Sequence, residues 1–129
     1  MDNIIIYNTD DGNTHVQLYA NDGTVWMTQA QIAALFQTTV QNIGYHLRRC
    51  YKEHELDKDA VVKYYFITAS DNKNYKTAFY NLEAILAVGF RVRSPRGTQF
   101  RRWANTTLKE YLQKGFILDD ERLKNPDGR

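Results

Sequence analysis

Several features that would define the class of this protein are scarce in its sequence. It has a single cysteine, Cys50, so no disulfide can form within the chain, which agrees with a reducing compartment. Two prolines and seven glycines exclude a collagen-like or linker-dominated composition. No apolar run approaches the roughly 20 residues that span a bilayer, and Met1-Asp2-Asn3 carries an acid where a secretory signal carries positive charge. We therefore expect a soluble, cytoplasmic protein with no membrane partner.

The material that is present suits one ordinary domain. The chain has 129 residues, of which 43% are hydrophobic, 13% aromatic and 25% charged. This is enough apolar material for a core and excludes wholesale disorder. We expect a single domain over residues 1–123, followed by a flexible tail over 124–129.

Positive charge is concentrated in one segment. The net charge is +2, yet residues 89–115 hold seven basic residues and one acid, which is +6. Such segregation indicates a polyanionic partner. The alternative is that these arginines pair within the fold with the acidic clusters at Asp10-Asp11, 53–59 and 119–121, and charge alone leaves both open.

Alternating patterns and turn residues predict two groups of antiparallel strands. A hairpin or a three-stranded meander is predicted over residues 4–27, with Asp22-Gly23 in a type I′ turn because both residues tolerate positive φ. A second hairpin is predicted over residues 61–80, with a polar tip between Asp71 and Lys76.

Capping residues followed by apolar residues at helical spacing predict four helices. The capping residues are Thr28, Thr39, Asn81 and Ser94. The last two helices cover residues 81–115, the first of them ending near Gly89 and the second closed by Gly115.

The strongest local pattern is the helix pair over residues 28–52. Ala33 or Ala34 offers the small side chain that crossing helices need. One apolar stripe on the second helix is formed by Val40, Ile43, Leu47, Cys50 and Tyr51. This arrangement predicts a helix-turn-helix, and a hairpin directly after it predicts the wing of a winged helix-turn-helix. Any amphipathic helical hairpin shows such a pattern, however, and most bind no DNA.

The polar side of the second helix suits a DNA groove. Gln and Asn can pair with adenine, and Arg with guanine. The residues predicted to contact bases are Gln41, Asn42, Tyr45 and Arg48. The residues predicted to contact the DNA backbone are Thr39, Arg49, Lys52, Lys73 and Lys76. Taken alone, the hairpin tip is an ordinary solvated turn.

A second basic surface is predicted in the C-terminal half. It consists of Arg91, Arg93, Arg96, Arg101 and Arg102. Arg101 and Arg102 precede Trp103, which belongs to the apolar stripe of its helix, so they point away from the core. This surface could follow a phosphate backbone, or it could bind an acidic patch of a partner or of a second copy.

The sequence offers no assembled catalytic or metal site. His46 and His54 are eight residues apart, roughly 12 Å along a helix, which is too far for one tetrahedral ion. No nucleophile–base pair, P-loop or paired carboxylates stand out. We therefore expect neither an enzyme nor a cofactor.

Besides the helix-turn-helix, four segments are distinctive: residues 25–29, 79–92, 99–104 and 114–123. Together with the helix-turn-helix they resemble the RhuM family of bacterial virulence-associated proteins. RhuM-like proteins are usually longer, so the resemblance implies an N-terminal domain or a short form. The second half is also similar, more loosely, to the Bro-N domain of phage antirepressors, through Ser94, Phe100, Trp103 and Gly115. Together the resemblances imply a DNA-binding or repressor-modulating protein of mobile elements.

We therefore predict an α+β domain of winged helix-turn-helix type that binds double-stranded DNA in transcriptional or phage-related control, as a homodimer. The alternative is an antirepressor-like or antitoxin-like module that binds a repressor or toxin through the arginine-rich segment.

Overall fold

The described residues form a mixed α+β structure around a five-stranded antiparallel sheet. The computed structural model describes residues 3–117, with the side chains of residues 3–114. The strand order is β1-β2-β3-β5-β4. The strands are β1 Asn3–Asn8, β2 His15–Asn21, β3 Thr24–Thr28, β4 Val62–Thr68 and β5 Asn74–Asn81. The predicted tail over 124–129 lies outside the described residues.

Of the two arrangements predicted for the N-terminal strands, the structure has the three-stranded meander. β1 pairs with β2, and β2 with β3, both antiparallel. Asp22 and Gly23 connect β2 to β3 with φ of 55° and 75°, the pair of positive values that a type I′ turn requires.

Both predicted caps of the helix pair are confirmed. The Thr28 side chain accepts from the Gln31 backbone N–H while the Gln31 side chain accepts from the Thr28 backbone, so α1, Gln29–Phe36, begins in a capping box. The Thr39 hydroxyl accepts from the Asn42 backbone N–H and starts α2, Val40–Lys52. Gln37 ends α1 in the left-handed conformation and thereby turns the chain toward α2.

The second hairpin is built into the same sheet. A short helix α3, Lys58–Val61, leads into β4, and β5 returns antiparallel to it. β5 also pairs with β3, with Trp26 opposite Asn81 and Thr28 opposite Phe79. The strand before the helix pair therefore anchors the hairpin that follows it.

The C-terminal half is helical, but two of its predicted boundaries are wrong. α4 spans Leu82–Val92, α5 spans Pro95–Trp103, and a π-helical stretch, Ala104–Leu108, continues into α6, Lys109–Ile117. α4 continues past Gly89 because this glycine serves close packing: a Cβ there would stand 2.6 Å from Cζ of the buried Phe36 ring. Gly115 also lies inside its helix, since α6 continues to Ile117.

One main core lies between the sheet and the helices. α1 contacts β2 and β3, while α4 contacts β3 and β5. The largest fully buried side chains of this core are Leu18, Met27, Ile32, Leu35, Phe36, Ile43, Ile85, Phe100 and Leu108. None of the helices within residues 3–117 combines the length and apolar character needed to cross a membrane.

The other face of the sheet carries a smaller aromatic cluster. Phe79 is buried between Tyr19 and Tyr65, which both meet it edge to face. The Lys63 ammonium lies 4.9 Å from the centre of the Trp26 ring and pairs with Asp22. This cluster buries the outward side of β3 and β5 without a covering helix.

Candidate nucleic-acid interface

α2 is buried along one side and exposed along the other. It packs against α1 and α4, and its buried residues are Ile43, Gly44, Leu47 and Cys50. Tyr51 is half-buried, as its place in the predicted stripe requires. Val40 departs from that prediction because it is 42% exposed at the first position of the helix.

We call the exposed side the α2 outer face. It comprises Gln41, Asn42, Tyr45, Arg48, Arg49 and Lys52. Asn42 is half-buried and the other five are exposed, Tyr45 by 50%. All three charges on this face are positive, so the face suits an anionic partner.

A glycine that the sequence prediction missed lies where α1 and α2 cross. Ala33 is buried at 4% exposure, as predicted, whereas Ala34 is exposed. On α2, a Cβ at Gly44 would lie 2.8 Å from Nε2 of Gln29. That amide nitrogen donates to the Val40 carbonyl oxygen at 2.8 Å and so ties the two helices together. A glycine within a helical pattern was the available signal.

Two residues of the turn between the helices engage Asn42. Nδ2 of Asn42 donates to the Thr38 hydroxyl at 2.9 Å. The Thr39 hydroxyl accepts from the Asn42 backbone N–H at 3.0 Å. One side-chain proton and the side-chain oxygen of Asn42 stay available, which still permits pairing with an adenine edge.

The remaining outer-face residues differ in how they are held. Nη1 of Arg48 lies 3.2 Å from where a Cβ of Gly44 would stand, so its guanidinium lies back along the helix. Nη2 of Arg49 pairs with the Glu53 carboxylate at 2.9 Å, and both side chains are well exposed. The Tyr45 ring meets the His46 ring edge to face. Burial, and then the charge of Arg91, lowers the pKa of His46.

Tyr51, near the end of α2, lies close enough to two tyrosines of the hairpin for their charges to affect it. Burial raises the pKa of Tyr51, and neighbouring Tyr80 and Tyr64 add to the effect. Among residues 3–117 the buried Tyr51 hydroxyl finds no hydrogen-bond partner. Lys76 lies over the Tyr64 ring, 4.6 Å from its centre, and Phe66 beside it on β4 is 73% exposed.

The hairpin tip is exposed and internally hydrogen-bonded. The Asp71 carboxylate accepts from the Tyr75 hydroxyl at 2.6 Å and from the Lys73 backbone N–H at 2.9 Å, and these bonds lower its pKa. Lys73 and Lys76 are both exposed. The two predicted lysines are therefore accessible on a structured tip.

Two of the five arginines predicted for the second basic surface form hydrogen bonds and ion pairs within the chain. Arg96 is 6% exposed. It donates to the Ala34 carbonyl oxygen at 3.1 Å, and to the Asp11 carboxylate and the Thr14 hydroxyl at 3.2 Å each. It thus joins the β1–β2 loop to the end of α1, and its assignment to an exposed surface is wrong.

Arg91 is engaged with the acidic cluster after α2. Its Nη2 lies 2.8 Å from the Glu53 carboxylate and 2.7 Å from that of Glu55. The hydrogen bonds raise the pKa of Arg91 and lower that of Glu53. For Arg91 and Arg96 the intramolecular alternative left open by the sequence is therefore the correct one.

The other three arginines remain exposed. Arg93, Arg101 and Arg102 are exposed, and none pairs with an acid among the described residues. Arg101 lies 5.8 Å from the centre of the Phe90 ring, which is itself 67% exposed. The exposure of Phe90 could not be predicted from the sequence, because this residue lies in an apolar helical segment.

Cys50 lies between His46 and His54 in the chain, the two histidines whose spacing speaks against one shared metal ion. Cys50 is buried, its thiol lies 3.7 Å from the Glu55 carboxylate, and burial raises its pKa. Within the described residues no three His, Cys, Asp or Glu side chains come together as a possible metal site.

The C-terminal part of the chain is similar to a known protein family. A family model described as the virulence protein RhuM family matches residues 60–129, a range that begins within α3 and includes β4, β5 and the C-terminal helices. No curated protein and no solved structure matches the chain significantly.

Proposed function

The chain belongs to the virulence protein RhuM family, and we propose that it binds double-stranded DNA as a winged helix-turn-helix-type domain. The family name specifies no molecular activity. The proposal therefore rests on the geometry of the helix pair and its neighbouring hairpin.

The observation that carries the proposal is the accessibility of the α2 outer face. The opposite side of α2 is buried against α1 and α4. A helix held in this way can lie in the major groove, where Gln, Asn and Arg read base edges. We assign base contacts to Gln41, Tyr45 and Arg48, and to the free side-chain oxygen and proton of Asn42.

The DNA backbone would be held on either side of these contacts. Thr39 lies at the start of α2, and Arg49 and Lys52 lie near its end. The β4–β5 hairpin follows α2 in the chain and is anchored through β3. We propose it as the wing, with Lys73 and Lys76 on phosphates.

A homodimer is part of this proposal. Two copies of α2 placed one helical turn apart, about 34 Å, would read a palindromic site. Regulation of transcription or of mobile-element genes is the role that such binding would serve.

A second candidate function is favoured by one specific observation. Phe90 is exposed beside Arg93 and Arg101, and an exposed aromatic ring beside arginines is typical of surfaces that bind proteins. An antirepressor-like or antitoxin-like module would use these residues to hold an acidic surface of a repressor or toxin.

Selection of bound duplexes from a random pool tests the DNA proposal. We expect an enriched motif, and binding that weakens steeply with salt because several phosphates are contacted. The double variant Gln41→Ala with Arg48→Ala should lose the sequence preference, at roughly 1–3 kcal/mol for each lost base contact, and should melt like the wild type.

A matched control exists on the C-terminal helices. Gln113 and Arg102 are the same residue types, both exposed, and their double replacement by alanine should keep the motif. Lys73→Ala should weaken binding to all sequences alike and reduce the salt slope by about one. The absence of any enriched motif, or equal losses in both double variants, would refute the assignment of α2.

A further inference from the structure

Two neighbouring cavities run from α2 to α5. The first has a volume of about 460 Å³, and its lining residues include Tyr45, His46 and Arg49 of α2 and Phe90 and Arg93 at the end of α4. The second, of about 520 Å³, lies between α4 and α5, and Phe90 and Arg93 line it as well. Because they share these two residues, the cavities form one continuous groove along one side of α2, which we call the flank groove.

The unpaired charge of the flank groove is positive. Among its described lining residues the one acid is Glu55, whose carboxylate pairs with Arg91 at 2.7 Å. Arg93 and Arg101 are exposed, and neither pairs with an acid within residues 3–117. The Arg101 guanidinium lies 5.8 Å from the centre of the Phe90 ring, at the groove. The flank groove therefore suits an anionic partner.

The β4–β5 hairpin lies on a different side of α2. Tyr51 lies near Tyr64 and Tyr80 of the hairpin, whereas His46 lines the flank groove. At about 100° per residue, positions 46 and 51 are about 140° apart around the helix. The hairpin and the flank groove therefore border the α2 outer face from two sides.

A helix that lies in the major groove has a phosphate backbone along each side. The groove is about 12 Å wide, and a helix with its side chains is about 10–12 Å across. The hairpin, with Lys73 and Lys76, accounts for one of the two backbones under the proposed function. The flank groove lies where the other would run, and Arg49, already assigned to the DNA backbone, is among its lining residues.

We infer that the flank groove holds the second phosphate backbone of the duplex, through Arg93 and Arg101. The inference rests on the proposed function, and it extends the DNA-binding surface from α2 onto α4 and α5. The two arginines contact phosphates and no base edges. They therefore raise the affinity for every sequence alike and leave the preferred motif unchanged.

Two arginines at adjacent positions give a matched pair of variants. Arg101 lines the flank groove, whereas Arg102 is exposed but lines neither cavity. Arg101→Gln and Arg102→Gln each remove one positive charge from the same helix, so they change the net charge of the protein equally. Arg93→Gly is a third variant. Arg93 ends α4 with φ of 58° and ψ of 41°, a left-handed conformation that glycine adopts without strain.

Fluorescence anisotropy at several salt concentrations tests the inference. The full chain is titrated into a labelled duplex that carries the motif enriched from the random pool, and into a duplex of random sequence. Each lost phosphate contact should reduce the slope of log binding constant against log salt by about 0.9, which weakens binding about eightfold at about 0.1 M salt. We expect this loss in Arg101→Gln and in Arg93→Gly on both duplexes, and an unchanged slope in Arg102→Gln.

Ethylation interference shows which backbone each residue contacts. In the wild type, ethylated phosphates should block binding in two groups, one on each backbone that borders the major groove. Arg93→Gly with Arg101→Gln should abolish one group, and Lys73→Ala with Lys76→Ala should abolish the other. Loss of the same group in both double variants would contradict the inference.

Failure of this inference can be told apart from failure of the proposed function. A wild type that binds neither duplex overturns both. Equal slopes in Arg101→Gln and Arg102→Gln, with the motif intact, overturn this inference alone and favour a protein partner for the flank groove. The variant Gln41→Ala with Arg48→Ala should lose the motif, yet adding Arg101→Gln or Arg102→Gln to it should reproduce the difference between these two substitutions.

Discussion

The α2 outer face and the arginine-rich segment from Arg91 to Arg102 are both basic, yet the fold uses them differently. On α2 the polar side chains that the helical period assigns to solvent are exposed, apart from the half-buried Asn42. In the arginine-rich segment, Arg96 is buried and Arg91 is held by Glu53 and Glu55. The difference shows when a cluster of charged residues in a sequence predicts an exposed surface. It does so where a regular helix or strand places those residues on one side of the element.

The reason lies in the range of the contacts involved. Exposure along α2 follows from a repeat of 3.6 residues within one helix. The partners of Arg96 lie 62 and 85 positions away, at Ala34 and Asp11. Contacts at such separations depend on how distant elements pack, and the local pattern around Arg96 resembles that of its exposed neighbours.

Among the substitutions that test this difference between the two basic regions, we expect the largest loss of stability at Arg96. Arg96→Met should lower the free energy of unfolding by about 2–4 kcal/mol. The substitution leaves the Ala34 carbonyl oxygen without the donor that Arg96 supplies and removes the hydrogen bonds from Arg96 to the β1–β2 loop. Urea denaturation measures this change. Arg102→Met is the matched control on the same helix and should stay within about 0.5 kcal/mol of the wild type. Equal losses in the two variants would remove the distinction between buried and exposed arginines.

A smaller effect is expected from the acid that Arg96 contacts. Hydrogen bonds from Thr9, from the Asn13 backbone and from Arg96 lower the pKa of Asp11 to about 2, from an ordinary value of 3.8. Because the folded pKa is the lower one, ionised Asp11 stabilises the fold above pH 4, and this contribution disappears as the pH falls toward 2.

Unfolding followed between pH 5 and pH 2 tests this prediction. Asp11→Asn should be less stable than the wild type at pH 5, and the difference should shrink as the pH falls. A difference that is constant with pH would show that the carboxylate charge contributes nothing. Asp10→Asn on the same loop serves as the control.

The smallest effect is expected at Arg91. Its ion pairs with Glu53 and Glu55 lie near the surface, where water and salt screen them. Arg91→Met should lower the melting temperature slightly at low salt, and the difference from the wild type should fade in 0.5 M NaCl. Persistence of the full difference at high salt would mean that Arg91 contributes through packing of its alkyl chain instead.

Much of the fold could be predicted because local chemistry specifies it. Thr28 and Thr39 cap helices because their hydroxyls satisfy the first free N–H groups. Asp22 and Gly23 turn the chain because they tolerate positive φ. The glycines were harder to interpret, since Gly89 stands in the middle of α4 to admit the Phe36 ring, and nothing near it in the sequence indicates that ring.

The residues of the candidate site also include some that the sequence predicts and others that it does not. Gln41, Tyr45 and Arg48 could be named from the period of α2 and are exposed. The proximity of Gln29 to Gly44 could not be predicted, because these residues are 15 positions apart in the chain. The exposure of Phe90 could likewise not be predicted, since it depends on where α5 crosses α4.

The sequence by itself determined the elements of this protein: the caps, the hairpins, and which side of α2 is polar. Only the tertiary structure decided which charges remain available among the described residues, which glycines admit a neighbouring side chain, and that Phe90 is exposed. The physical reason is that hydrogen bonds within a turn and periodic burial act over a few residues, whereas packing joins residues whose distance along the chain carries no information about their distance in space.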